Sequence, residues 1–166
     1  MVAAAAPSPI GAEQAALIEG PVSIIVGSRD AALRPHLMRA AGCRLAADRR
    51  RLTLLLPESA SRAVLDDLRD NGLIAVVFSR PSSHRTIQLK GDDAVVAPCG
   101  PDDAALARRY LHAFVAEIAG LGFPAEVAYA ILARDQPMVA VHFTVAAAFE
   151  QTPGPSAGEP IPASSR

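Results

Sequence analysis

This 166-residue chain contains no tryptophan, and its only lysine is Lys90. Aromatic residues make up 4% of the chain, so a hydrophobic core has to be built mainly from leucine, isoleucine and valine. Because every other basic residue is an arginine, an anion site would rely largely on guanidinium groups, which bind phosphate through paired hydrogen bonds. The 51% of hydrophobic residues is typical of a globular protein.

The chain also has no surplus of basic charge, with 16 basic and 17 acidic residues. This balance argues against an extended nucleic-acid surface, which needs excess lysine and arginine to neutralise phosphates. No uninterrupted apolar run reaches the ~20 residues of a membrane span, and Met1–Ile10 lacks the basic start of a signal peptide. We therefore expect a cytoplasmic protein that binds neither nucleic acid nor membrane.

Several chemical signatures are missing as well. The two cysteines, Cys43 and Cys99, lie far apart and outside any C-x-x-C pattern, which favours reduced thiols while leaving a disulfide open. The four histidines have no second ligand at helical or strand spacing, so no metal site is expected. Neither G-x-G-x-x-G, nor a P-loop, nor a G-x-S-x-G elbow occurs, which excludes the usual nucleotide-binding and hydrolase motifs.

The pattern along the chain predicts one domain, at residues 12–151. Residues 1–11 are expected to be a flexible lead-in, and residues 152–166 form a tail too rich in proline, glycine and serine for regular structure. Alternating and continuous apolar runs predict strands, and helices are predicted between and before them. The predicted helices are 12–18, a helix near 59–71, 102–118 and a short helix from 124; the predicted strands are 22–26, 34–47, 51–56, 73–78, 84–91, 94–97 and 138–149. This order predicts a mainly β fold, a small β-barrel flanked by short helices.

A first candidate site lies on the segment HRTIQLKG. Period-two alternation places His84, Thr86, Gln88 and Lys90 on one face of a strand. A row of hydrogen-bonding side chains suits a polar planar ligand. A solvent-exposed strand face without a function is the alternative that spacing alone leaves open.

A second candidate is Arg39, in the strand PHLMRAAGCRLA. Alternation places it in an otherwise apolar row with Leu37, Ala41 and Cys43, so the guanidinium is expected to face a core and to need an anionic partner. A ligand phosphate and a carboxylate of a neighbouring strand both remain open as that partner.

A third candidate is the start of the second helix, in the segment ESASR. Free backbone N–H groups at a helix start, with Ser61 and Arg62 beside them, can hold a phosphate. An ordinary helix cap formed by the serine is the alternative.

Taken in order, these segments resemble a known family. The stretch ESASRAVLDDLRDNGLIAVVFSRPSSHRTIQLKG is similar to the core of the pyridoxamine 5'-phosphate oxidase-like flavin proteins. In that family a Ser-Arg-Lys helix start is followed by an asparagine-ended helix, a buried strand and a strand of pattern Arg-Gln-x-x-x-x-Gly. The closing QTPGP resembles an uncharacterised subgroup, and the resemblance covers about residues 15–155.

The resemblance implies a six-stranded antiparallel split barrel, Greek-key-like, that forms a homodimer with FMN at the subunit interface. It places Arg39, Ser61 and Arg62 at the phosphate of FMN, and Thr86 and Gln88 at the isoalloxazine ring or ribityl chain, with Lys90 on the same strand. Ala63 stands where the family pattern has lysine, and the tail lacks the tryptophan- and arginine-rich ending with which true pyridoxamine phosphate oxidases hold their substrate. Oxidation of vitamin B6 is therefore not expected.

The function implied is an FMN-dependent oxidoreductase whose substrate the sequence does not identify, since no residue stands out as an acid or base. Two alternatives stay open at this point. The four histidines and the missing lysine suggest a haem-binding or haem-handling protein on the same barrel, and a barrel without cofactor could serve as a binding module.

Overall fold

The computed structural model describes residues 10–132 and 136–163, and these ranges contain nine strands and four α-helices. Ile10 is buried in the core, while residues 1–9 of the predicted lead-in lie outside the described residues. The strands are β1 Ser23–Arg29, β2 Pro35–Arg39, β3 Cys43–Leu45, β4 Arg51–Pro57, β5 Ile74–Ser79, β6 Thr86–Gly91, β7 Val95–Pro98, β8 Met138–Thr144 and β9 Ala147–Glu150. The helices are α1 Ala12–Ile18, α2 Arg62–Asn71, α3 Asp103–Ala119 and α4 Ala125–Leu132, with a 3-10 turn at Ser59–Ser61.

The strands form two antiparallel sheets, in the orders β2-β1-β5-β6-β9 and β3-β4-β8-β7. The pairs β2–β3, β6–β7 and β8–β9 are consecutive in sequence, and each pair passes from one sheet into the other. When each pair is counted as one bent strand, six strands close a barrel in the order β1, β2–β3, β4, β8–β9, β6–β7, β5. The predicted antiparallel barrel flanked by helices is therefore confirmed, with its long strands divided by bends.

The bend between β2 and β3 explains why one continuous strand over 34–47 was a wrong prediction. Ala41 N donates to Leu55 O at 2.8 Å, and Leu55 N donates to Gly42 O at 3.0 Å, so the chain leaves β1 and joins β4 at this point. A Cβ atom on Gly42 would lie 3.3 Å from Leu55 and 3.5 Å from Leu106, which shows how closely α3 packs over the bend.

The barrel interior holds the main core. Strands β1, β5 and β6 each bury one side in this interior, and most residues on their opposite side are only half-buried. The interior residues of that sheet are Ile24, Val26, Ile74, Val76, Phe78, Ile87 and Leu89. The prediction that the apolar run at 73–78 is buried on both faces was therefore wrong for a single chain, because Ala75 and Val77 point outwards and are half-exposed.

Helix α3 is anchored to the barrel by a buried hydroxyl. Tyr110 Oη donates to Val22 O at 2.7 Å, and its ring stacks on Phe114 with a centroid distance of 6.1 Å. Burial raises the pKa of Tyr110 above its ordinary value, so the hydroxyl stays protonated and remains a donor.

We expect the substitution Tyr110→Phe to lower the free energy of unfolding by about 1–2 kcal/mol, because the Val22 carbonyl loses its buried donor while the ring packing is kept. Urea unfolding followed by circular dichroism measures this change. Tyr129→Phe is the matched control, since Tyr129 is 44% exposed. Equal losses in the two variants would contradict the role given to the Tyr110 hydroxyl.

The tail has no helix or strand within residues 152–163, apart from an isolated bridge between Phe149 and Pro160. It nevertheless follows β9, because Ile161 N donates to Ala148 O at 2.8 Å and Glu150 N donates to Glu159 O at 2.9 Å. None of the helices in the described ranges combines the length and hydropathy needed to cross a lipid bilayer.

Candidate functional site

The outward side of the five-stranded sheet, called here the sheet face, carries most of the residues predicted from sequence. Its members alternate along each strand with the buried interior residues. They are Leu37 and Arg39 on β2, Ser23, Ile25 and Gly27 on β1, Ala75, Val77 and Ser79 on β5, Thr86, Gln88 and Lys90 on β6, and Ala147 and Phe149 on β9.

Strand register aligns one row of this face across all five strands. The row runs Arg39, Ile25, Val77, Gln88, Phe149. Because neighbouring strands lie about 4.8 Å apart, the backbones of Arg39 and Gln88 are separated by roughly 14 Å. The row therefore presents a guanidinium and an amide at either side of an apolar floor, with an aromatic ring beyond the amide.

Arg39 does not face the core, which corrects the sequence-based expectation. The alternation was carried through the bend after β2, but Leu37 on the same side of β2 is 70% exposed and Arg39 is half-buried on the sheet face. Arg39 Nη1 donates to Ser23 Oγ at 2.5 Å. No ion pair to Arg39 occurs within the described ranges, so the carboxylate of a neighbouring strand that the sequence left open as its partner is not found there.

The three predicted residues of β6 differ in how far their polar groups are already engaged. The Thr86 hydroxyl donates to His84 O at 2.9 Å and accepts from Ser79 Oγ at 2.8 Å, so its bonding is local. The Gln88 amide has no hydrogen-bond partner among the residues that the structure describes. Lys90 Nζ lies 4.9 Å from the centroid of the Phe149 ring, a cation–π contact.

His84 does not belong to the sheet face, contrary to the period-two interpretation. It lies in the turn between β5 and β6, with a positive φ of 58°, and its N–H donates to Arg80 O at 2.9 Å. Strand β6 therefore begins at Thr86.

The helix start holds the other two predicted residues, away from the sheet face. Ser61 is 1% exposed and caps nothing; its hydroxyl is the one buried side-chain polar atom in the described residues that lacks a partner. The alternative left open by the sequence, an ordinary helix cap formed by the Ser61 side chain, is therefore not observed. Arg62 is exposed and lines a groove of about 460 Å³ together with Glu58, Ser59, Leu65, Asp66, Arg69 and Pro137. No hydrogen bond or ion pair between described residues joins this groove to the sheet face.

A buried polar cluster was missed from the sequence. Asp67 on α2 is 6% exposed and its Oδ2 atom accepts from Ser28 Oγ at 2.6 Å. The same oxygen lies 2.8 Å from His36 Nδ1, and the His36 side chain is 34% exposed. The signal available in the sequence was an acid between Val64 and Leu68, on the apolar stripe of a predicted helix.

The two cysteines offer no nucleophile. Both are free thiols. Burial raises the pKa of Cys43 and also that of Cys99, although Cys99 is the more exposed of the two. Since the thiolate is the reactive form, these thiols are chemically quiet at neutral pH.

Comparison with known proteins supports the fold. No family model and no curated protein matches the chain. Among solved structures, HupZ of Group A Streptococcus is 20% identical with a TM-score of 0.54, covering 90% of this chain and 99% of that chain. A candidate pyridoxamine 5'-phosphate oxidase from Lactobacillus delbrueckii is 15% identical with a TM-score of 0.53, covering 84% and 93%. An F420 reductase is 16% identical with a TM-score of 0.52, covering 80% and 93%.

The TM-scores of these structural matches establish a shared fold. At identities of 20% or less, they do not show that this chain has the activity of any of these proteins. The strand order, the helices and the neighbours agree with the resemblance drawn from the sequence. The chain has the split-barrel fold that these solved structures share.

Proposed function

We propose that this protein binds FMN on the sheet face and acts as a flavin-dependent oxidoreductase. The observation that carries the proposal is the row from Arg39 to Phe149, in which Ile25 and Val77 form an apolar floor between a guanidinium and an amide. A flat, half-buried floor accepts a planar ring system, and polar groups at its sides bind the ring edges and the chain attached to it.

The residues present fit a phosphate group at the helix start. Ser61 Oγ is buried without a partner, and an unsatisfied buried hydroxyl costs about 1–3 kcal/mol. Ser61 does not line the groove, so a phosphate oxygen would bond to it only if the side chain turned outwards. Arg62 beside it does line the groove and supplies a cation that forms no ion pair within the described ranges. Arg39 is a second such cation. Glu58 and Asp66 also line the groove and reduce its positive potential, and Ala63 adds no charge.

When bound, FMN supplies the hydride or electron transfer, and the protein supplies position and surroundings. Gln88, whose amide is unengaged, offers a donor and an acceptor to the polar edge of the ring. Lys90, held against Phe149, places a positive charge on the same face. Ile25 and Val77 exclude water from the side of the ring that lies on the sheet.

A homodimer is part of this proposal. In a single chain the apolar side chains of Ala75 and Val77 on β5 are half-exposed, and Leu37 is 70% exposed on the same face. A second copy seated on the sheet face would bury these side chains and cover a ring lying on them. It would also allow the helix start of one copy to meet the sheet face of the other.

Titration with FMN and with riboflavin, followed by flavin fluorescence, tests the proposal. Riboflavin has the same ring but lacks the phosphate, so we expect FMN to bind at least about tenfold more tightly. Equal binding of the two would contradict the phosphate role of Ser61, Arg62 and Arg39. Absence of quenching by either flavin would contradict the proposed function as a whole.

One observation favours haem as a second candidate ligand. An imidazole that binds a metal usually gives its other ring nitrogen to a carboxylate, which fixes the ring and its tautomer. His36 has this arrangement, since Nδ1 contacts buried Asp67 and the half-exposed ring leaves Nε2 accessible. No cluster of three or more metal-binding side chains exists among the described residues, so a lone histidine suits an iron whose other ligands come from a porphyrin.

For this candidate we expect His36→Ala to remove the Soret band that develops when the protein is mixed with ferric haem, and added imidazole to restore it. His112→Ala, at an exposed position on α3, is the matched control and should leave the spectrum unchanged. An unchanged spectrum in the His36 variant would exclude His36 as the ligand.

A further inference from the structure

The four-stranded sheet carries a separate groove on its outer side, called here the second groove. Its volume is about 350 Å³, which is enough for a small molecule. The lining is mixed. Its polar side chains include Arg44 on β3, Arg51 and Thr53 on β4, and His142 and Thr144 on β8, and its apolar residues are Ala46, Leu52, Val95 and Phe143. None of these residues belongs to the sheet face or to the helix start, so the second groove is independent of the proposed FMN site.

Strand register brings these side chains together. Arg44, Thr53 and His142 form one row across three adjacent strands, and Arg51 and Thr144 form the next row on the same side. Successive residues on one side of a strand are about 6.8 Å apart, and neighbouring strands about 4.8 Å. Arg44 and His142 therefore flank Thr53 on the neighbouring strands, and Arg51 lies two residues before it on β4.

The side chain of Arg44 is held in place by an ion pair with Asp103 at the start of α3. Its Nη1 donates at 2.9 Å to Asp103 Oδ1, and the Asp103 side chain is only 3% exposed. The other oxygen of Asp103 accepts from Gly100 N at 2.8 Å, which fixes the carboxylate at the start of α3. One guanidinium nitrogen is thus engaged, and the remaining N–H donors of Arg44, which is 46% exposed, are free to bind a ligand.

The other donors are less engaged. Arg51 contacts Asp48 through Nε alone, at 3.5 Å, and is 71% exposed, which leaves both terminal nitrogens for a ligand. Thr53 Oγ1 lies 3.0 Å from His142 Nδ1, so the imidazole is oriented with Nε2 directed away from Thr53. Asp93 is the one carboxylate lining the second groove, and its Oδ1 accepts from Thr144 N at 2.7 Å.

We propose that the second groove is a binding site for a small oxyanion, a phosphate or carboxylate group carried by a metabolite. Two arginines and an imidazole on three adjacent strands line one groove and carry unengaged donors, and guanidinium groups bind planar and tetrahedral oxyanions through paired hydrogen bonds. Asp103 and Asp48 orient the two arginines and offset part of their positive charge, so binding relies on the paired hydrogen bonds that the free guanidinium nitrogens donate. Asp93 opposes binding.

The test is a titration of the full-length protein with inorganic phosphate, and separately with acetate, followed by ¹H–¹⁵N NMR. We expect saturable shifts of the Thr53, His142 and Thr144 amides at about millimolar phosphate. Shifts with phosphate alone assign a phosphate group, and shifts with both ions assign any small oxyanion. Phosphate bound instead at the helix start would shift the Ser61 and Arg62 amides, so the two sites are read separately.

Three variants decide between an oxyanion and any other ligand. Arg51→Gln should weaken phosphate binding at least about fivefold, and Asp93→Asn should strengthen it severalfold, because one removes an attractive charge and the other a repulsive one. Arg34→Gln is the matched control, an exposed arginine paired with an aspartate in another turn, and should change nothing. Absent or non-saturable shifts, or equal effects of Arg51→Gln and Arg34→Gln, would overturn the proposal.

Discussion

The substitution Arg39→Gln is expected to weaken FMN binding by roughly 10- to 100-fold, which corresponds to the about 1.5–3 kcal/mol of a hydrogen bond to a charged group. Arg39 is half-buried on the sheet face, and Ser23 is its only hydrogen-bond partner among the described residues. Glutamine keeps a donor for Ser23 and removes the charge. The loss should therefore come from the phosphate rather than from a rearranged strand.

Riboflavin distinguishes the loss of a contact with the phosphate from a rearrangement of the strand that carries Arg39. Because riboflavin has no phosphate, its affinity should be the same in the Arg39→Gln variant and in the unaltered protein. Arg108→Gln, an exposed arginine on α3, controls for net charge and should leave FMN binding unchanged. An equal loss of FMN and riboflavin binding would show that Arg39 supports the fold of the face and does not contact the phosphate.

A substitution of Gly91, the residue at which β6 bends into β7, is expected to lower the stability of the fold strongly. A Cβ atom there would lie 2.6 Å from Phe143 Cδ2 and 2.7 Å from Thr144 O. The first is a core ring that is 3% exposed and the second is strand backbone, so neither can move away cheaply. We expect Gly91→Ala to lower the free energy of unfolding by about 2–3 kcal/mol, measured by urea denaturation.

Gly120→Ala is the matched control for this substitution. At the end of α3, Gly120 has a φ of −61°, and a Cβ atom would meet nothing closer than Glu117 O at 3.4 Å. Stability should change by less than about 1 kcal/mol. If Gly120→Ala proved as costly as Gly91→Ala, steric crowding at the bend would not be the cause.

The parts of the fold that depend on local signals were predictable from the sequence. Helix α1 was predicted at its observed bounds. The helix predicted near 59–71 is α2, which ends at Asn71 and is followed by Gly72, whose φ of +67° favours glycine. The helix predicted at 102–118 is α3, in which Tyr110, Phe114 and Ile118, spaced four residues apart, are all buried. Each of these signals depends only on residues within a few helical turns of one another in the sequence.

The strand faces were harder to predict because they depend on contacts distant in sequence. Alternation assigned Arg39 to the core only because it was continued through the bend at residues 40–42, which is set by hydrogen bonds to Leu55. Likewise, His84 was placed on β6 because alternation gives no sign that the turn from Arg80 extends to Arg85. Thr86, Gln88 and Lys90 were assigned correctly to one face, since no bend interrupts β6.

The pairing of His36 with Asp67 was likewise not predictable, because it depends on a contact between residues distant in sequence. The two residues are 31 positions apart, and only the packing of α2 against β1 and β2 brings them together. The acid on an apolar helix stripe indicated that Asp67 needed a partner, but nothing in the sequence identified which residue provides it.

Binding of FMN by a homodimer is tested most directly by the flavin content and mass of the protein after incubation with FMN and desalting. Absorption gives the amount of retained flavin, and light scattering gives the mass of the particle that carries it. We predict about one flavin per chain in a particle of twice the chain mass, as two equivalent sites in a symmetric dimer require. A monomer that retains no flavin would contradict both the FMN site and the dimer.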